Sequence, residues 1–393
     1  MPDPIDVTFE LVTPAYAGGA DRAKTDGLRP PTLKALLRFW WRTMHPEMGP
    51  GELFEAEEAI FGSTSAGQGL RVVPRAPWPQ PTTDAAGTLE NDPMHVYMAY
   101  GPVAWDSKST ADPKRTKEGK KGASVIQTER VRTNYRATFG LMPRSTSHVD
   151  PIMKTLWLLS AFAGFGSRSR RGWGSLRITS DFEFPSGMPD PHSDPKNAIP
   201  SGLSAVLGPR TNLTVDSGSE PHHTAFSPAA RVIVGSTVGR PEAAHRAVYE
   251  AFRDLRKCLG KDMRSRQGGQ DYQKRRTWLT VLPSDGDEAP LGVSFGLPLN
   301  AQFSPPSGPR VDLGAGSDLS GRRASQVFMK VIGRGEEFAP VVLWLPAVFL
   351  PPDIGLYVSV TGKGTRQLKY PGHTAVTDFL TRLTEAGWQE VTW

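Results

Sequence analysis

Near the start of the chain Ile5, Val7, Phe9 and Leu11 alternate with Asp6, Thr8 and Glu10. A period of two makes one face apolar and the other polar, which predicts a half-buried strand. A turn-rich stretch from Thr13 to Leu28, with Pro14, Gly18, Gly19 and Gly27, leads to Pro30 and Pro31. Proline suits a first helical turn, whose N–H groups have no intrahelical partner, so a helix is predicted to begin there. Leu33, Leu36, Leu37, Trp40, Trp41 and Met44 form its apolar face, and Pro46 disfavours helix at His45. Glu52 to Phe61 continues the helical pattern up to Gly62 as a cap. Strands are predicted at Gly69 to Arg75 and at Met94 to Trp105, where Met94, Val96, Met98 and Tyr100 alternate with His95, Tyr97 and Ala99. Asp150 and Pro151 open a helix that is apolar nearly all round and therefore buried, ended by Gly164. Leu176, Ile178, Phe182 and Phe184 supply a last strand.

The order strand, helix, strand, strand, helix, strand is the ferredoxin-like pattern. Residues 185 to 224, rich in Pro, Gly, Ser and Asp, mark a boundary. A second such series follows: a strand at Ala230 to Val234 and a helix at Pro241 to Leu259 capped by Gly260. Strands at Thr277 to Leu282, Gln326 to Ile332 and Val341 to Leu350, a helix near Thr374 to Leu383, and Trp388 to Trp393 complete it. The expectation is an α+β protein of two tandem ferredoxin-like, RRM-like domains, 1–185 and 225–393.

Composition narrows the class. Forty glycines and 36 prolines among 393 residues exceed the usual share of about 12%, so long functional loops are expected. A lone cysteine, Cys258, excludes an intramolecular disulfide and any cysteine-cluster zinc site, which suits a reducing cytoplasm. The opening MPDPIDVTFE has no basic start before an apolar run. No window approaches the ~18 apolar residues of a membrane span, so a cytoplasmic protein without membrane contact is expected.

The net charge of +6 is uneven. Residues 106–136 hold nine Lys/Arg against four Asp/Glu, residues 167–177 four against none, and residues 253–276 nine against three. Basic charge thus gathers where Gly, Ser and Gln interrupt the apolar pattern, which points to exposed segments facing a polyanion or to ordinary solvated loops. Within GFGSRSRRGWGS, the glycines Gly164, Gly166, Gly172 and Gly174 allow positive φ and close approach. Exposed N–H groups there can form an anion nest, and Arg168, Arg170 and Arg171 supply forked phosphate donors. The alternative is a flexible turn without ligand. On the first helix Lys34, Arg38 and Arg42 recur at steps of four, making a basic ridge opposite the Leu/Trp face, with no acid on it. Such a stripe taken alone is more often a solvated face than a binding one. Trp40 and Trp41 are read as core rather than as stacking platforms.

LRPPTLKALLRFWWR, flanked by TPAYAGGA and LFEAEEAIFGST, resembles the amino-terminal signature of the first-numbered RAMP subunit family of the type III-B CRISPR (Cmr) effector complex. GFGSRSRRGWGS resembles that family's glycine-rich loop and GRRASQVFMKVI (321–332) its carboxy-terminal motif, in the expected order over residues 13–332. The resemblance implies tandem ferredoxin-like domains and binding of CRISPR RNA and its single-stranded target near the 3′ end of the guide. It further implies contacts with other RAMP subunits, and no catalytic residue, cofactor or metal. Matched motifs carry RNA binding to Arg29, Lys34, Arg38, Arg42, Gly164, Gly166, Ser167, Arg168, Arg170, Arg171, Gly172, Gly174, Arg322 and Arg323. The basic insertion 106–136 matches no motif, and is an RNA-contacting arm or a solvated loop.

Two rivals stand beside this reading. A metal-independent endoribonuclease would use a histidine to activate a 2′-hydroxyl; His45 is the candidate, with no partner identifiable from sequence. A protein adaptor would touch RNA little and could use the apolar run VVLWLPAVFLPP (341–352) as an interface. His222 and His223 are read as surface residues of a polar linker, and Glu55, Glu57 and Glu58 as the solvent face of a helix.

Overall fold

The computed structural model describes residues 2–393 apart from 22, 66, 77–78, 107–121, 180, 216–219, 260–268 and 304–307. About half of the insertion 106–136 (residues 107–121), part of the basic window 253–276 and the Gly260 cap lie outside the described residues.

In the first half the chain runs β1 (Ile5–Leu11), α1 (Pro30–Arg42), α2 (Pro50–Phe61), β2 (Arg71–Pro74), α3 (Pro93–Met98), β3 (Val103–Asp106) and β4 (Ala123–Ile126). It continues through β5 (Arg136–Met142), α4 (Val149–Phe162), β6 (Leu176–Ile178) and α5 (Pro195–Leu207). Strands β6, β1, β5 and β2 form one antiparallel sheet in that order, with Ile5 opposite Leu141 and Glu10 opposite Arg136. Counted along the chain, this is fourth, first, third, second. Apolar side chains of α1 and α4 cover the sheet, with Leu33, Leu37, Trp40 and Trp41 buried on α1 and ten residues buried on α4. On the polar face of β1 Asp6 is exposed, whereas Glu10, 4% exposed, pairs with Arg136 at 2.7 Å and Arg177 at 2.6 Å.

The segment expected to be a strand from Met94 is instead helix α3. Pro93 opens it, the Asp92 carboxylate accepts from the Met94 N–H at 2.8 Å, and Met94 and Met98, one turn apart, are both buried. The third strand of the sheet is β5, where Ala137, Phe139 and Leu141 point to the core. The strand expected through Phe184 ends at Ile178; Phe182 and Phe184 lie beyond it, edge to face at 5.0 Å. The stretch 185–224 contains α5, with Ile199 and Leu203 buried.

The second half runs β7 (Arg231–Val234), α6 (Pro241–Leu259), α7 (Gln270–Trp278), β8 (Leu299–Gln302), β9 (Arg310–Ala315), β10 (Val327–Arg334) and β11 (Glu337–Trp344). β12 (Leu356–Val360), β13 (Gly364–Leu368), α8 (Thr374–Glu385) and β14 (Gln389–Val391) follow. β10, β11, β7 and β14 form an antiparallel sheet which, counted along the chain, repeats the order fourth, first, third, second from the β14 edge. Helix α7 occupies the start of the segment expected as a strand over Thr277 to Leu282: Trp278 is buried at its end and Val281 stands exposed. A third sheet, β8, β9, β12, β13, was not anticipated; it has a core of its own around Val311, Leu313, Phe349 and Val358.

The first two of these four-stranded sheets share one core. Trp40 meets Phe328 at 5.5 Å and Phe162 meets Phe226 at 6.0 Å. Lys330 on β10, 2% exposed, donates through Nζ to the carbonyl oxygens of Ser160 at 2.5 Å and Leu176 at 2.6 Å, tying the second sheet to the end of α4 and to β6. Among the described residues, no helix is long and apolar enough to cross a membrane.

Candidate nucleic-acid interface

The Gly/Arg loop between α4 and β6 is pinned from several sides. Its Ser167 N–H donates to the Tyr16 carbonyl at 2.6 Å, and the Gly172 carbonyl accepts from Thr13 Oγ1 at 2.6 Å. From the second half, the Met329 N–H donates to the Arg170 carbonyl at 3.1 Å and His245 Nε2 donates to the Arg171 carbonyl at 2.8 Å. Gly172 has φ +83°, and a Cβ there would lie 2.7 Å from the His245 ring; at Gly174 it would lie 2.1 Å from the Phe165 carbonyl oxygen. Only glycine fits either position. Trp173 between them is fully buried, edge-on to Tyr16, His95 and His245 at about 5 Å. The loop is therefore a junction bonded to both halves and not a free turn.

Arg168 holds a left-handed backbone, φ +63°, a conformation that costs an L-residue energy and marks functional loops. Its Nε donates to the Tyr100 carbonyl at 2.8 Å. Arg170 lies across the adjacent rings of Phe39 and Phe328, 5.4 and 4.4 Å from their centroids, and donates to the Ser325 carbonyl. Arg171 lies 6.0 Å over Phe252. Burial, and after it the neighbouring Arg323, pushes the Arg170 guanidinium down to about 10. Burial, then Arg168 and Arg256, does the same to Arg171. Both remain charged at neutral pH; the depression reflects burial first and the neighbouring guanidiniums second.

These residues meet Arg322 and Arg323, some 150 positions later, in a cleft of about 700 Å³. Arg256 and Arg310 also line it, and its described lining contains no carboxylate. Arg168 and Arg322 stand exposed at its mouth, and Arg310 pairs with nearby Asp312 at 3.3 Å. Arg323 donates to the Val348 carbonyl at 3.0 Å, while its buried Nε has no protein partner. A smaller cleft of about 230 Å³ shares Arg170, Arg323 and Ala324 and adds Arg42, His222 and His223.

The helical ridge is placed differently. Arg38 and Arg42 both grip Glu57 of α2, at 2.5 and 2.8 Å, and Arg38 also donates to the Phe61 and Gly62 carbonyls. Glu57 is 5% exposed, so it is not part of a solvent face, and the ridge does have an acid, supplied by a neighbouring helix. Lys34, half-buried, is held below the usual ammonium range by burial and by Arg38. Arg29 is exposed near Asp26 at 3.7 Å. The His45 ring lies tilted against Trp41 at 4.4 Å, and its Nδ1 contacts Glu47 at 3.3 Å. His223 is no surface residue: half-buried, it donates through Nε2 to the Arg42 carbonyl at 3.0 Å.

The glycine-rich loop that organises this cleft lies in the part of the chain, residues 8–177, that matches the family model described as the RAMP superfamily. Over those residues the chain is similar to the RAMP superfamily. The matched region stops short of Arg322 and Arg323, so the RAMP portion supplies one wall of the cleft and the second half the other. Among curated relatives, the chain is 27% identical to CRISPR system Cmr subunit Cmr1-2 of Pyrococcus furiosus over 177 residues, which is 43% of this chain and 92% of that one. Its fold resembles the crystal structure of Cmr1 from Pyrococcus furiosus in its apo form, with TM-score 0.55 and 15% identity, covering 100% of this chain and 99% of that one. It also resembles a chain in the cryo-EM structure of the Type III-B Cmr-beta bound to cognate target RNA, with TM-score 0.50 and 11% identity, covering 98% and 99%.

Proposed function

We propose that this chain is a non-catalytic RNA-binding subunit of a type III-B Cmr effector complex. In this reading it holds CRISPR RNA and single-stranded target RNA near the 3′ end of the guide and packs against other RAMP subunits. One observation carries the reading: seven arginines from separate parts of the chain line one cleft whose described lining has no carboxylate, with Asp312 beside Arg310 lying outside that lining. A phosphate backbone supplies the missing negative charge, and arginine forks match phosphate oxygens bidentately. The relatives, a Cmr subunit and a Cmr assembly bound to target RNA, support the same partners.

The RNA contacts assigned are Arg168, Arg170, Arg171, Arg322 and Arg323, with Ser167 and the loop glycines shaping the backbone. Arg42 reaches the smaller cleft, and Arg29 and Lys34 are outlying contacts. The repeated strand order of the first two sheets supports a pair of ferredoxin-like domains, 1–185 and 225–393. Backbone contacts position a strand without reading its bases, so affinity should vary little with sequence.

The test is fluorescence anisotropy of a labelled single-stranded RNA, in chelator, over a series of salt concentrations, with RNA integrity scored on a denaturing gel. Bound, intact RNA with affinity falling steeply as salt rises is the expected result. Cleavage abolished by His45→Ala would make the chain a nuclease, and salt-independent failure to bind would make it an adaptor.

A further inference from the structure

Tyr100 is 68% exposed at the mouth of the arginine cleft. A single exposed aromatic is ordinary on a protein surface, and Phe54 and Trp105 are similarly exposed away from the cleft. Tyr100 differs in how it is held. Arg168 Nε donates to its carbonyl at 2.8 Å, and the Val103 N–H donates to the Ala99 carbonyl at 2.9 Å, closing the turn between α3 and β3. The next residue, Gly101, has φ +114°, and a Cβ there would come within 2.9 Å of Arg168 Nη2. Glycine at 101 thus lets the guanidinium lie against the backbone of the turn. The outcome is a phenol ring displayed on a fixed backbone beside two exposed cations, Arg168 and Arg322.

That grouping has the elements of a single-strand site: cations for a phosphate and, adjacent, a flat apolar face with few rotatable bonds. Of the other aromatics near the cleft, Phe252 is buried beneath Arg171, Phe39 and Phe328 are covered by Arg170, and Phe295 is half-buried and packed edge to face against Phe252 and Phe379. We propose that Tyr100 is a base-stacking platform, so that the cleft takes single-stranded RNA in preference to duplex. This rests on the RNA-binding reading above. A duplex carries the higher charge density and would bind an arginine cleft at least as well if charge alone decided. Its bases, however, are already stacked on one another and have no face to offer Tyr100.

The experiment measures affinity and salt slope for a short single-stranded RNA, its duplex, and a strand of the same length with abasic ribose in place of every nucleotide. Wild type is compared with Tyr100→Ala, Tyr100→Leu and Tyr100→Phe. The single strand is expected to bind wild type more tightly than the duplex or the abasic strand. Tyr100→Ala and Tyr100→Leu should each weaken the single strand roughly 5- to 150-fold, the range for one stacked base, with an unchanged salt slope and unchanged affinity for the abasic strand. Tyr100→Phe should retain wild-type binding. Single-strand affinity that is unaltered in Tyr100→Leu, or equal losses for normal and abasic strands, would overturn the platform. Wild type binding no strand at all would instead overturn the RNA-binding reading on which it depends.

Discussion

Lys330 Nζ lies 2.6 Å from the carbonyl oxygen of Leu176, joining the second sheet to the last strand of the first through an ammonium with almost no access to water. Burial holds that group well below its ordinary range. Its acceptors include the Leu159 and Ser160 carbonyls at the end of α4, whose orphan oxygens a helix terminus must satisfy. Lys330→Met keeps the length and removes the donor. It is expected to lower unfolding free energy by about 1–3 kcal/mol, the cost of stranding buried acceptors, as measured in urea. Equal or greater stability would mean that the desolvation of the amine outweighs its hydrogen bonds.

Arg168 and Arg322 are exposed at the mouth of the cleft, so their removal should separate binding from folding. Arg168→Ala with Arg322→Ala is expected to reduce RNA affinity at least tenfold and to flatten the log-affinity against log-salt slope by about 0.7 per lost phosphate contact, with the melting temperature unchanged. Adding Arg170→Ala should deepen the loss and also lower the melting temperature, because that side chain bridges to Ser325 and covers Phe39 and Phe328.

Arg38 and Arg42 should behave differently from the loop arginines. Glu57→Gln leaves two guanidiniums without their carboxylate in a partly buried site, and is expected to cost about 3 kcal/mol or more of stability. Arg38→Ala should likewise destabilise while leaving RNA affinity within about twofold. A drop in affinity matching that of the Arg168 variant would return Arg38 to the binding surface.

Acid should weaken the fold from two identifiable histidines. Burial, with Lys330 next, holds His192 at about 3, and burial holds His245 at about 4, both below the ordinary 6.5. Below 6.5 the unfolded chain takes up protons that the folded chain refuses, so stability is full above that value and is lost as pH falls from about 6.5 toward 4 and then 3. Thermal melts between pH 7.5 and 4.5 should show this decline. His245→Gln, which keeps a donor for the Arg171 carbonyl but cannot titrate, should show a shallower one.

Local chemistry made much of the frame legible. The alternation in β1, the proline start of α1 and the amphipathic α6 are decided by residues within a few positions of one another, and they stand where the pattern puts them. The errors have physical causes. Met94 to Ala99 alternates, yet Asp92 and Pro93 supply a helix start, and a six-residue helix is too short for its period to override that impression. In the candidate site, the glycine-arginine loop was legible as a segment because its four glycines and three arginines stand together within eleven positions. The capture of Arg38 and Arg42 by Glu57 was not, because it depends on how α2 returns beside α1. Tyr100 gave no signal either: inside an assumed strand its ring had no predicted exposure.

Arg170 rests across Phe39 and Phe328 with its loop backbone bonded to β10, so its guanidinium is already immobilised before any strand arrives. In the RNA-binding reading proposed above, capture of a strand then requires little rearrangement at this position. The encounter is close to rigid-body docking, with an on-rate governed by electrostatic steering and sensitive to ionic strength, and with residence time set by how many of the prepaid contacts a given strand can reach.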